Sequence, residues 1–237
     1  MRKLFSVLLV SMILATIFCG CSKENGEVGN ITEANKTTQQ EIAVLEKDYR
    51  SIIELAEVGY PTSNNEWEYT IYNDLMVFYE KFAVITKYKG AETSILIPKE
   101  LEGYPVLAIE TLTTRTEDVV INSVETQDGL LCIGTSAFYG SDITYIKISD
   151  TVQYIDSGAF KFCDELKEIE FPNSVKYIDM SSMDCCSNLE KVIILSNVEN
   201  IDGFINYHSS DLVIFGESGS EIARWCADNR IKFEVMK

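Results

Sequence analysis

Residues 143–211 fall into three lines of 23: ITYIKISDTVQYIDSGAFKFCDE from Ile143, LKEIEFPNSVKYIDMSSMDCCSN from Leu166, and LEKVIILSNVENIDGFINYHSSD from Leu189. Down the columns stand Ile143/Leu166/Leu189, Ile146/Ile169/Val192, Ile148/Phe171/Ile194, Val152/Val175/Val198 and Ile155/Ile178/Ile201, followed by Asp156/Asp179/Asp202. Apolar residues two apart, such as Ile169 and Phe171, project from one face of a short strand while Glu170 faces outward. Val175 and Ile178 turn inward from the next side, and Ala159-Phe160 fill a third. One repeat cannot bury these groups alone. Rungs stacked at about 4.8 Å join their strands into a parallel ladder and close a continuous core. The expected fold is therefore a β-rich repeat solenoid, which presents a surface rather than an enclosed cleft.

The pattern continues toward the N-terminus with interruptions. Ile133–Phe138 matches Ile155–Phe160. Before it, Val119-Val120-Ile121 reads as a strand, followed by Val124 and an insertion around Gln127-Asp128-Gly129. Earlier still comes Ile95-Leu96-Ile97-Pro98, with Pro98 in the place of Pro172, and a turn lengthened by Glu100–Pro105 before Val106 and Ile109. Six such strands, the last at Leu212–Phe215, place the array over 93–237. A period in the range of about 20–29 residues with an L-x-x-I-x-I/F strand is the mark of a leucine-rich-repeat solenoid.

The combined motif I-P-x-x-V-x-x-I-x-x-x-A-F-x-x-C-x-x-L resembles the BspA-like leucine-rich-repeat family of bacterial surface proteins. ILIPKELEGYPVLAIE, from Ile95, is similar to that family's first repeat, and IFGESGSEIARWCADNRIKFEV, from Ile214, to its last turn and closing helix. The resemblance implies a parallel solenoid used for binding or adhesion, without catalysis. Asp156, Asp179 and Asp202 depart from it by replacing the usual glycine, and the repeat after Ile201 lacks the A-F pair.

Both ends carry further signals. Met1-Arg2-Lys3 followed by the apolar run Leu4–Phe18 reads as a secretory leader over 1–20. Phe18-Cys19-Gly20-Cys21 resembles a bacterial lipobox, with a small residue before Cys21, the expected site of lipidation. The competing reading is an ordinary secreted chain with a stray cysteine. Two or three acyl chains at about 0.8 kcal/mol per buried methylene give stable anchoring. Residues 21–40 are polar and read as a tether. An amphipathic helix is expected over 41–60, stopped by Gly59-Tyr60-Pro61, and a strand cap over 61–92 containing Trp67–Tyr72 and Phe82–Tyr88. At the far end Ser220 is placed to cap a helix whose Ile222, Trp225 and Cys226 lid the last rung.

The chain has 37 acidic and 20 basic residues, a net charge of −17. Losing Arg2 and Lys3 with the leader makes it −19. Such a surface repels nucleic acid and anionic headgroups, which leaves the lipid anchor as the only membrane contact expected. Five cysteines remain beyond Cys21, an odd number without metal spacing, so a column of buried thiols at Cys163 and Cys186 is favoured over a bridge. The one histidine, His208, lies in a loop sequence, and Gly216–Ser220 misses the G-x-S-x-G elbow at its last position. No enzyme, cofactor or metal is expected.

By analogy with other solenoids the outward strand residues form the candidate binding face: Thr144, Tyr145 and Lys147, then Lys167, Glu168 and Glu170, then Glu190, Lys191 and Ile193. Their mixed charge points to a protein ligand. Two columns offer secondary candidates. Tyr154 and Tyr177 suit either wall packing or a glycan or peptide, and Asp156, Asp179 and Asp202 suit either turn amides or a cation. These readings lead to a lipid-anchored bacterial surface protein that binds protein in adhesion. The alternative is an envelope accessory lipoprotein that captures glycan or peptide.

Overall fold

The computed structural model describes residues 57–73, 81–113, 120–195 and 198–236. The leader, Cys21, the tether and most of the helix expected over 41–60 lie outside the described residues. Nearly all the described residues fall in one compact unit, Gly59–Ile71 with Phe82–Lys237.

In chain order the elements are β1 (Glu57–Ser63), β2 (Trp67–Asn73), β3 (Lys81–Tyr88), β4 (Ser94–Leu96), β5 (Glu100–Leu101) and β6 (Tyr104–Thr113). Next come β7 (Ser123–Glu125), β8 (Cys132–Ile133), β9 (Tyr145–Lys147), β10 (Tyr154–Ile155), β11 (Glu168–Phe171) and β12 (Tyr177–Asp179). A 3-10 turn at Met180–Met183 leads to β13 (Lys191–Ile194), β14 (Asn200–Asp202), β15 (Val213–Gly216), the helix α1 (Glu221–Asn229) and β16 (Lys232–Val235).

Each repeat contributes one strand to each of two walls. The first wall is a continuous sheet in the order β1-β2-β3-β6-β8-β10-β12-β14, with β5 on the side of β6. The second wall holds the outward candidates and consists of two sheets, β4-β7-β9 and β11-β13-β15-β16. Registers follow the sequence columns: Ile155 pairs with Ile178, Ile178 with Ile201, and Ile169 with Val192. The expected six strands of the second wall are present, and β16 adds a parallel strand beyond them, with Ile214 opposite Phe233.

The core follows from the alternation. Along β11 exposed Glu168 and Glu170 alternate with Ile169 and Phe171, which are 1% and 0% exposed. The third side is a stack of turns. Phe138 and Phe160 lie nearly parallel with ring centroids 5.7 Å apart, and Phe171 packs on Phe160 at 6.3 Å. Phe138 N donates to Ala159 O at 2.7 Å, and Phe160 N to Ser182 O at 2.8 Å, so the turns bond rung to rung as strands do. Met183 takes the phenylalanine place one repeat later and is fully buried. Burying each side chain of this size contributes roughly 1.5–3 kcal/mol.

The thiol column is buried and its cysteines are free. Cys163 Sγ donates to Phe138 O at 3.1 Å and Cys186 Sγ to Phe160 O at 3.0 Å, so each thiol ties its own turn to the previous one. At the C-terminal end Ser220 Oγ accepts from Ala223 N at the start of α1, and Ile222 and Cys226 are buried against the last rung. Burial alone pushes the Cys226 thiol up to about 12.

Two expectations about elements need correction. Gly59-Tyr60-Pro61 does not stop a helix, because it lies inside β1. An end strand of a sheet tolerates proline, whose missing N–H breaks no ladder. The early strand is also displaced: the rung is β7, with Val124 opposite Ile95 and Ile146, and not Val120-Ile121, while Val119 lies outside the described residues. Ile121 instead fills the leading leucine column and Thr126 the last apolar column, where its Oγ1 accepts from Ser149 N at 2.8 Å.

Candidate binding face

The two sheets of the second wall meet between β9 and β11, where the described residues show no strand pairing. Neighbouring steps are bonded. Thr144 N donates to Asn122 O at 2.8 Å, Glu190 N to Lys167 O at 2.9 Å and Val213 N to Glu190 O at 2.9 Å. Over the unpaired step lies an open groove of about 750 Å³.

Six of the nine strand-face candidates line this groove: Thr144, Tyr145, Lys147, Lys167, Glu168 and Glu170. The pleat explains why, since all six are exposed and alternate with Ile146 and Ile169 in the core. Glu190, Lys191 and Ile193 do not line it. They lie on or beside β13, where Lys191 Nζ donates to Glu168 Oε1 at 2.8 Å and sits 5.7 Å from the Phe215 ring centroid. Lys147 is 3.9 Å from Glu125. Both pairs are exposed and contribute at most about 1 kcal/mol each to stability.

Sequence reasoning missed part of the lining. Asp128 comes from the insertion after β7, Asp150 from the turn after β9, and Pro172 and Leu195 from the ends of the next two rungs. The signal available was the turn chemistry of Asp128-Gly129 and Asp150, which reads as local structure rather than as a surface.

The secondary columns are differently placed. Tyr154 and Tyr177 are 7% and 8% exposed with ring centroids 6.3 Å apart, so their faces pack in the first wall. Tyr177 OH donates to Asp202 Oδ2 at 3.1 Å. Asp179 caps the 3-10 turn, accepting from Ser181 N at 2.9 Å and Ser181 Oγ at 2.7 Å. Glu110 extends the aspartate column, with Gly134 between it and Asp156. Burial first, then the nearby Asp156 charge, push the Glu110 carboxyl above its ordinary value. Among the described residues no group of three or more His, Cys, Asp or Glu side chains is arranged to hold a metal ion.

His208 is exposed, and its Nδ1 lies 2.7 Å from Ser209 O. The loop before it is held by Asp184, whose Oδ1 accepts from Asn206 N at 3.0 Å and Tyr207 N at 3.1 Å while Oδ2 accepts from Lys161 Nζ at 2.7 Å. Burial pushes the Asp184 carboxyl up, but Lys161 and the two amides outweigh it and hold it below the usual carboxylate range.

A parallel solenoid with one wall of outward side chains and a closing helix is a leucine-rich-repeat architecture. Residues 117–225 match the BspA type leucine rich repeat region in six copies, and this repeat array belongs to that family. No curated protein matches the chain. Among solved structures, the leucine rich repeat protein of T. pallidum is 23% identical with a TM-score of 0.51, over 66% of this chain and 71% of that one. A leucine-rich repeat protein from Bacteroides capillosus is 20% identical with a TM-score of 0.43, over 67% of this chain and 99% of that one. A leucine rich cell surface protein from Faecalibacterium prausnitzii is 20% identical with a TM-score of 0.43, over 69% and 56%. The first of these likenesses shows the shared fold.

Proposed function

We propose that the protein is a bacterial surface lipoprotein, anchored through Cys21, whose second wall binds another protein. The observation that carries the reading is the groove of about 750 Å³ on the exposed wall, formed by six outward strand side chains of mixed charge. The Phe18–Cys21 lipobox and the polar tether support display away from the membrane, and the family's implied role in binding or adhesion agrees with an open wall. The solenoid acts as a rigid plate, and recognition is by side chains from successive rungs rather than by chemistry on a substrate.

Metabolic labelling with a fatty-acid analogue, in the wild type and in Cys21→Ala, tests the anchor, and protease shaving of intact cells tests display. The expected result is label that depends on Cys21 and a solenoid open to protease. Label without accessibility would place the solenoid inside the envelope and favour the accessory role. Saturable binding of the chain to host matrix or to neighbouring cells, lost in Tyr145→Ala/Glu170→Ala, tests the wall itself. No saturable binding to either would remove the adhesion reading.

A further inference from the structure

Resting on the reading of this wall as the binding surface, we propose that the groove between β9 and β11 takes a short, extended, basic segment of the partner protein. It is an open trough over the one step of this wall where the described ladder is unpaired, lined by outward side chains of successive rungs. An extended segment laid across the rungs presents its own side chains to the outward side chains of one strand after another.

Charge selects the sign of the segment. Asp128, Asp150 and Glu170 line the groove, and none of their carboxylates has a partner among the described residues. Glu168 is neutralised by Lys191 at 2.8 Å, and Lys147 faces Glu125. Lys167 alone remains as an unpaired cation against three unpaired carboxylates. The exposed ring of Tyr145, 50% open, stands among them with half-buried Leu195, giving the segment's apolar stems a surface to lie on. From the turn after β7 to the end of β13 the groove crosses four rungs, about 14 Å at ~4.8 Å per step. That length suits four to six extended residues at about 3.3 Å each.

The test measures fluorescence anisotropy of a labelled hexapeptide alternating lysine and threonine, with the full chain in detergent. A glutamate–threonine hexapeptide is the control probe. The expected result is saturable binding of the lysine peptide, weakening with salt, with at most one-tenth as much affinity for the glutamate peptide. Asp150→Asn/Glu170→Gln should weaken binding of the lysine peptide at least tenfold. Asp211→Asn/Glu217→Gln, which removes the same charge outside the groove, should change it less than twofold. Equal loss in both double variants would show attraction to net charge alone and overturn the inference. So would preference for the glutamate peptide or no binding of either. If neither peptide binds while Tyr145→Ala/Glu170→Ala still abolishes saturable cell or matrix binding, the basic-segment inference falls and the surface reading stands. Loss of both kinds of binding would remove the two together.

Discussion

Removing the Asp184 carboxylate should release the turn that carries Asn206, Tyr207 and His208, and the three contacts it makes set the size of the effect. Asp184 is 3% exposed, and its two oxygens serve two backbone amides and one ammonium at 2.7–3.1 Å. A net contribution of about 1.5–3 kcal/mol applies to hydrogen bonds with a charged partner. The two freed amides belong to exposed residues and regain some water, so their bonds contribute at the low end, about 3 kcal/mol, and with about 1 kcal/mol for the Lys161 pair Asp184→Ala should cost about 4 kcal/mol. Asp184→Asn keeps an oxygen for the amides but turns an NH₂ toward Lys161, and should cost about 1–2 kcal/mol. Lys161→Met leaves the carboxylate on its amides. The lysine side chain is 32% exposed, so the loss should be about 1 kcal/mol. Urea unfolding followed by tryptophan fluorescence gives the three values, and hydrogen exchange at 206 and 207 reports the local release. A Lys161→Met cost equal to that of Asp184→Ala would mean that the ion pair, not the amides, holds the turn. Equal costs for asparagine and alanine would mean that the retained oxygen does nothing. Either result refutes the reasoning. Acid provides an independent arm. Because the folded carboxyl is depressed, its stabilisation is present above the unfolded value of about 3.9 and is lost as pH falls through the lower folded value. Asp184→Asn should therefore flatten the stability curve below about pH 4.

Glu110 behaves in the opposite sense, since its folded carboxyl is raised and stability is lost as pH climbs from the unfolded value of about 4.3 through the folded one. Glu110→Gln should raise Tm at pH 7 and leave it nearly unchanged at pH 4, as read by thermal scans at both. Phe160→Ala, in the fully buried turn stack, should cost about 3–5 kcal/mol in urea unfolding. Phe162→Gly should stay within about 1 kcal/mol of the wild type in the same assay, because Phe162 is 39% exposed and sits at φ 61°, which glycine adopts freely. A Phe162 variant as costly as the Phe160 one would show that its edge contact with Tyr139, at 5.3 Å, outweighs the backbone strain.

What was legible in the sequence is what repeats. The Ile146/Ile169/Val192 column fixed strand, face and register because a one-residue slip would turn every apolar side chain to solvent. The rung at β7 was misread because its last column is Thr126, whose buried hydroxyl is satisfied by the Ser149 amide and so needs no apolar residue. Val119-Val120-Ile121 looked more strand-like by composition alone. The helical stripe over 41–60 carried no sign that its final residues pair as a strand, since pairing is a property of the partner β2 as well. Half of the candidate site was visible as outward strand positions. Asp128, Asp150 and Leu195 were not, because turn residues join a surface only after the rungs are stacked.

The unequal walls have a mechanical meaning. Hydrogen bonds run unbroken along the first wall, through β6, β8, β10, β12 and β14, while the second is divided at one step. The third side bonds across that same step, Phe160 N to Ser182 O at 2.8 Å and Phe162 N to Asp184 O at 3.1 Å, so two sides clamp the rungs where the second wall is open. The mouth at β9 and β11 is therefore a slot of set width, framed by two closed sides, and selects what enters by fit rather than by yielding.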